Sequence, residues 1–292
     1  MKLVRFNGGR IGLLHDERVF DATAIAGVDP GEWPPVGMLK LIRNFDALRG
    51  QLERLPKETA PIENVHLDAP LVWPHKLLAF PVNYLAHGHE MASKNRANIN
   101  GFFMKSNSSI SGPNDPIVLP EVPGREIHHE CELGIIIGKG GRHISIEDAV
   151  EHVFGYCCLI DCTIRGNEER VMRKSYDTFT PIGPAIVTRD EVGDGADLEM
   201  KLWVNDELRQ NANTKDLLVD IPNMIAITSS VATLEPGDLI ASGTPAGVGT
   251  IRAGDKVTIE IERVGRMTVP VVQGRGGSNI AMQGEYAWKA AR

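Results

Sequence analysis

The run "REIHHECELGIII", residues 125–137, constrains this chain more than any other. It ends in an apolar stretch, Leu133 to Ile137, of the kind that fills a core strand, yet it begins with charged and titratable side chains. Successive side chains of a strand alternate faces, so Glu130 and Glu132 leave on one side, about 7 Å apart along the chain. On a buried face two such charges repel and lose their hydration. A hard divalent cation, which prefers several carboxylate oxygens, is the most economical partner for them. Taken alone, the pair reads equally well as a solvated strand end.

A third acid favours the metal. Asp161 directly follows the apolar run Cys157 to Ile160 and so closes a buried strand, where an unpaired carboxylate is costly. Three acids with no cysteine or histidine at zinc spacing suit Mg²⁺ or Mn²⁺ better than Zn²⁺. A zinc set of His128, His129 and Cys131 is disfavoured because neighbours on a strand point to opposite faces. The cysteines, Cys131, Cys157, Cys158 and Cys162, form no C-x-x-C pair and read as small buried thiols.

In "NYLAHGHE", Asn83, His87 and Glu90 fall at i, i+4 and i+7 and would share one face of a short helix. A histidine with a glutamate one turn away can serve as a general base and its orienting partner, although a surface pair has the same spacing. "SGTPAGVG", residues 242–249, offers Gly243 and Thr244 as backbone and hydroxyl donors to a carboxylate or phosphate. It lacks the ending of a nucleotide-binding P-loop. Lys105 and Lys174 sit among turn residues, where each could meet an anionic substrate or simply face water.

Strand-like runs punctuated by Pro and Gly outnumber helical ones, and strict strand–helix alternation is absent, which predicts an α+β, β-rich fold. The spacing predicts one helix over 38–55, a second from "SIEDAVEHVF" capped by Ser145, and a third in "IPNMIAITSSVATL" with Pro222 in its first turn. The Pro-rich "PKETAPIENVHLDAP" marks a boundary near residue 70, dividing a small amino-terminal domain, 1–70, from a larger one, 71–292. The last stretch, 274–292, reads as a flexible tail. A net charge of −7 argues against nucleic acid or an anionic membrane surface as partner. No stretch reaches the roughly 18 apolar residues of a membrane span, and the expected location is the cytoplasm.

In order along the chain, "NYLAHGHE", "FFMKSNSSISGP", "HHECELGIIIGK", "GYCCLIDCTIRG", "RKSYDTFTPIGP", "LRQNANT", "TLEPGD" and "SGTPAGVG" resemble the fumarylacetoacetate hydrolase family. The resemblance covers roughly residues 71–272 and implies a mixed β-sandwich or roll preceded by a small amino-terminal α+β domain, assembled as a homodimer. It implies Glu130, Glu132 and Asp161 as ligands of Mg²⁺ or Mn²⁺. It implies His87 and Glu90 as a water-activating dyad on a mobile lid, Lys174 facing the substrate, and Thr244 holding a substrate carboxylate; Gly243 and Lys105 remain binding candidates from the reading of their own segments. The "HHE-x-EL" form is similar to the acylpyruvase branch, so the activity implied is hydrolysis of a carbon–carbon bond in a small anionic keto acid of acylpyruvate or fumarylpyruvate type. Oxaloacetate-type decarboxylation, isomerisation or hydration of 2-hydroxydienoates, and a non-catalytic metal-binding domain are the alternatives. Three positions depart from the family pattern: Val82 where glycine often precedes N-Y, Ile160 where asparagine is usual, and Glu168 about where a substrate-facing glutamine is common.

Overall fold

The structure, a computed structural model, describes residues 1–93 and 96–276. The tail expected to be flexible therefore lies, from residue 277 onward, outside the described residues. Among them the chain forms sheets of eleven, five and three strands.

The largest sheet places the residue pairs that matter. Cys131–Ile137 runs antiparallel to Val153–Ile160 on one side and to Leu239–Ala241 on the other. Alternation then sorts its side chains. Cys131, Leu133, Ile135 and Ile137 enter one core, shared with Met200, Leu202, Val257 and Ile259 of the five-stranded sheet. Ile136 enters a second core, with Leu3, Leu41, Leu52 and Ile182. Because that strand is covered on both faces, the glutamates at its start are carried into the interior.

The first residues extend the same sheet. Lys2–Phe6 pairs antiparallel with Thr180–Thr188, and Arg10–His15 and Arg18–Asp21 follow outward from it. The expected helix over 38–55 is two helices, Gly37–Arg43 and Phe45–Glu58. They part at Asn44, whose side-chain amide donates to the Lys40 carbonyl at 2.9 Å, a local bond that competes with helix continuation. Met38, Leu41, Ile42, Phe45, Leu52 and Leu55 still present one apolar stripe to the sheet.

"SIEDAVEHVF" is also shorter than its spacing predicts. Ser145 Oγ accepts from the Asp148 N–H at 3.1 Å, but only the 3₁₀ turn Ala149–His152 follows before Val153 enters the sheet. Ile221–Val231 is helical as expected, capped by Asp220, which accepts from the Asn223 N–H at 3.0 Å.

Candidate active site and metal centre

Asp161 leaves the end of Val153–Ile160 beside Cys131, where its backbone N–H donates to the Glu130 carbonyl at 2.9 Å. This crossing point of two strands brings one oxygen each from Glu130, Glu132 and Asp161 to within 4.8 Å of one another, all three residues being buried.

Cationic side chains close around them. Lys174 Nζ lies 2.7 Å from both Glu130 and Asp161. Lys105 Nζ donates to Asp161 at 2.5 Å and to the Phe179 carbonyl at 3.2 Å. Burial works against ionising Glu130, but the charges of Lys174 and Arg165 outweigh it and hold its carboxyl down to about 2. Glu132 differs: burial and then repulsion from Asp161 and Glu130 outweigh the more distant charge of Lys174 and push it well above the usual carboxylate range. Lys174 keeps its proton despite burial because Asp161, Glu130 and Glu132 favour the charged form. An all-oxygen donor set in which one carboxylate is under-compensated as an anion fits a hard divalent ion.

Facing the acids is the short helix Leu85–Glu90. His87 is buried, and its Nδ1 lies 2.9 Å from Glu90 Oε2. A carboxylate can only accept, so Nδ1 carries a hydrogen, which in the neutral tautomer leaves Nε2 as the acceptor. Asn83 makes no catalytic contact. It donates to the carbonyls of Val219 and Ser242 and accepts from the Val219 N–H, pinning the start of the helix to the Ser242 loop. Val82 sits in the left-handed region at φ 53°, a costly conformation for a β-branched residue and the reason glycine suits this position.

A cavity of about 410 Å³ joins these groups. His87, the three acids, Lys174 and Thr244 line it, against an apolar wall that includes Phe80, Val82 and Phe103. A larger cleft of about 800 Å³ lies by Phe45 and Arg189, but its Arg49–Asp190 and Arg189–Glu151 charges are already paired and, among the described residues, it holds no comparable acid cluster.

Two expected binding residues point elsewhere. The Lys105 ammonium is committed to Asp161 and Phe179 behind the acids. The Gly243 N–H, expected to face substrate, donates to Glu132 Oε2 at 2.8 Å. A side chain at Gly243, with φ 89°, would come within 2.6 Å of the Phe80 carbonyl. Glu168 also turns from the cavity, forming a forked pair with Arg125 at 2.8 and 3.1 Å, while its neighbour Asn167 lines the wall.

Sequence reasoning missed Arg165, Arg170 and Arg173, which line the same cavity. A signal existed: in the helix Arg170–Lys174 the spacing i, i+3, i+4 puts Arg170 and Arg173 on the face of Lys174. Strand alternation puts His128 on the glutamates' face, but nothing in the sequence gave it a partner. Its Nδ1 accepts from Arg165 Nε at 2.9 Å, and Arg165 in turn lies 3.4 Å from Glu130, so His128 shares the glutamates' face to hold an arginine.

The fumarylacetoacetate (FAA) hydrolase C-terminal family matches residues 76–272. Maleylpyruvate hydrolase of Aquipseudomonas alcaligenes is 41% identical over 285 residues, covering 93% of this chain and 99% of that protein. A mitochondrial oxaloacetate tautomerase of Xenopus laevis is 39% identical over 223 residues, 72% of this chain and 69% of that protein. The crystal structure of maleylpyruvate hydrolase from Sphingobium sp. SYK-6 in complex with manganese (II) ion and pyruvate superposes with a TM-score of 0.86 at 54% identity, covering 94% of this chain and 100% of that one. With that extent of matching sequence and fold, the chain belongs to the fumarylacetoacetate hydrolase family.

Proposed function

We propose that this chain is a divalent-metal-dependent hydrolase that cleaves the carbon–carbon bond of an acylpyruvate, the acyl group ending in a second carboxylate as in maleylpyruvate or fumarylpyruvate. One observation carries the reading: the acid triad and the His87 ring line the same 410 Å³ cavity. The relatives named maleylpyruvate hydrolase, one of them holding manganese and pyruvate, support it.

Glu130, Glu132 and Asp161 would hold Mg²⁺ or Mn²⁺, which when bound supplies Lewis-acid polarisation of the keto-acid oxygens. Thr244 donates its hydroxyl to the substrate carboxylate. His87, its Nδ1–H held by Glu90, takes a proton from water on Nε2 while the water oxygen adds to the distal carbonyl carbon. The bond from that carbon to the pyruvate methylene then breaks. Its electron pair passes to pyruvate as the enolate, which takes up a proton, and the acyl group leaves as a carboxylic acid. The Lys174 ammonium offsets the developing negative charge, a role worth about 3 kcal/mol in such sites. Arg170, which has no ion-pair partner among the described residues, meets the far carboxylate. The division at residue 70 belongs to this reading, since every residue given a role lies beyond it. So do homodimeric assembly and a cytoplasmic location, both of which rest on the family resemblance.

Pyruvate release from maleylpyruvate, fumarylpyruvate, acetylpyruvate and oxaloacetate, with Mn²⁺ or Mg²⁺ added, tests the reading. Turnover should favour the first two, and Arg170→Met should raise their KM about tenfold or more while sparing acetylpyruvate. Turnover of oxaloacetate alone would overturn the proposal.

A further inference from the structure

Gln210 lies in the strand Glu207–Asn213, buried, and makes four hydrogen bonds that tie the strand bearing the glutamates to the loop bearing Thr244. Its Oε1 lies 3.0 Å from the Cys131 N–H, between the two glutamates in sequence, and 3.0 Å from His129 Nδ1. Its Nε2 lies 2.8 Å from Thr244 Oγ1 and 2.9 Å from the Pro245 carbonyl.

The orientation of this amide is dictated by its neighbours. The Cys131 N–H can only donate, so the amide oxygen must face it; the Pro245 carbonyl can only accept, so the NH₂ must face that side. Thr244 Oγ1 therefore accepts from Gln210, and its own hydrogen is left to donate elsewhere. Thr244 lines the cavity beside Glu132 and Asp161.

We propose that Gln210 is a positioning residue that polarises the Thr244 hydroxyl as a hydrogen-bond donor into the cavity, selecting a ligand group that only accepts, such as a carboxylate. The inference rests on the keto-acid reading given above. It adds the reason a hydroxyl, able in principle to donate or accept, serves here in one sense only. A buried amide satisfied on both sides holds that sense without occupying the cavity, because turning it over would set two donors and two acceptors against each other.

The test is a titration of the Mn²⁺-loaded full-length protein with pyruvate, by calorimetry, in the wild type, Gln210→Met, Thr244→Val and the double variant. Each single change should weaken pyruvate by about tenfold to a hundredfold, the range for a bond to a charged group. The double variant should be no more than about twofold worse than the weaker single, because both remove one interaction. Mn²⁺ affinity should stay within about threefold throughout. The proposal is overturned if Gln210→Met binds pyruvate like the wild type, if the two losses multiply, or if Mn²⁺ affinity falls in step with pyruvate, which would make Gln210 a clamp on the Cys131 strand alone. Should Gln210→Met not fold, neutron diffraction of the wild type with pyruvate decides: the Thr244 deuteron must point to the ligand and not to Gln210 or Pro245. A wild type that hydrolyses no acylpyruvate sinks the functional reading and leaves the titration to judge this one, whereas a wild type that binds no pyruvate sinks both.

Discussion

The Glu90 carboxylate accepts a hydrogen bond from the Gly247 N–H at 2.9 Å, and its other oxygen holds His87 Nδ1 at the same distance. One side chain thus both orients the proposed base and latches its helix to the 242–249 loop. Gly247 is held at φ 97°, where a side chain would come within 2.0 Å of the Arg209 carbonyl, so the latch depends on glycine.

These two roles of Glu90 separate by substitution. Glu90→Gln keeps an oxygen for Gly247 but removes the carboxylate from His87, so kcat should fall by about 10²–10³ with KM little changed. Glu90→Ala removes both, and KM should rise as well. Steady-state kinetics on an acylpyruvate check this, and identical kinetics for the two variants would rule out the latch.

Metal-ligand variants should separate stability from function. Burial, and then repulsion from Asp161 and Glu130, raise the folded pKa of Glu132 well above its unfolded value, so it costs stability as pH rises past about 4.5. Glu132→Gln resembles the protonated acid and should leave the metal-free protein at pH 7 as stable as the wild type or more so. At 100 times its dissociation constant, Mn²⁺ should raise the wild-type Tm by on the order of 5 °C. Thermal melts with and without Mn²⁺ should show that rise vanish in Glu132→Gln and Asp161→Asn. A persisting rise in both would remove the triad as the metal site.

His129 gives the fold an acid-sensitive element. Burial holds its imidazole down at about 4, against an ordinary value of 6.5. Above pH 6.5 the ring is neutral in both states; between 6.5 and 4 the unfolded chain binds a proton that the folded one does not. Stability is therefore lost as pH falls through that window, by about 3 kcal/mol in all. Urea unfolding at pH 7 and pH 4.5 should show a smaller difference for His129→Asn than for the wild type, and equal differences would contradict the assignment.

In "TLEPGD" the aspartate is structural. Asp238, fully buried, accepts from Lys76 Nζ at 2.7 Å and from the backbone N–H groups of Lys76 and Glu235 at 2.8 Å each. Asp238→Ala leaves a buried ammonium with His75 Nδ1 but no counter-charge, and two N–H groups unpaired, and should cost about 3–5 kcal/mol. Urea midpoints would register the loss, while kcat of the folded fraction stays near wild type. A midpoint unchanged within error would show that water replaces the carboxylate.

Much of the site was legible because local geometry suffices for it. Strand alternation makes Glu130 and Glu132 cofacial, the helical spacing of His87 and Glu90 brings them into contact, and an acid ending an apolar strand, as Asp161 does, needs a buried partner. Lys174 stood out only as a lysine among turn residues, and its place facing the substrate came from the resemblance. The break at Asn44 was missed because a single side-chain bond to Lys40 decides it, and the apolar periodicity runs across it unchanged.

The sequence by itself determined the period-two and period-3.6 faces, the acid triad's chemistry and the family, since each depends on residues close in the chain or on ordered motifs. Tertiary structure alone decided that Lys105 and Gly243 serve the acids, that Glu168 turns to Arg125, and that His128 and Gln210 stand behind Arg165 and Thr244. Each of those partners lies 34 to 111 residues away along the chain. Which atoms meet across such separations is set by strand order and register, where a shift of one residue turns every side chain to the opposite face.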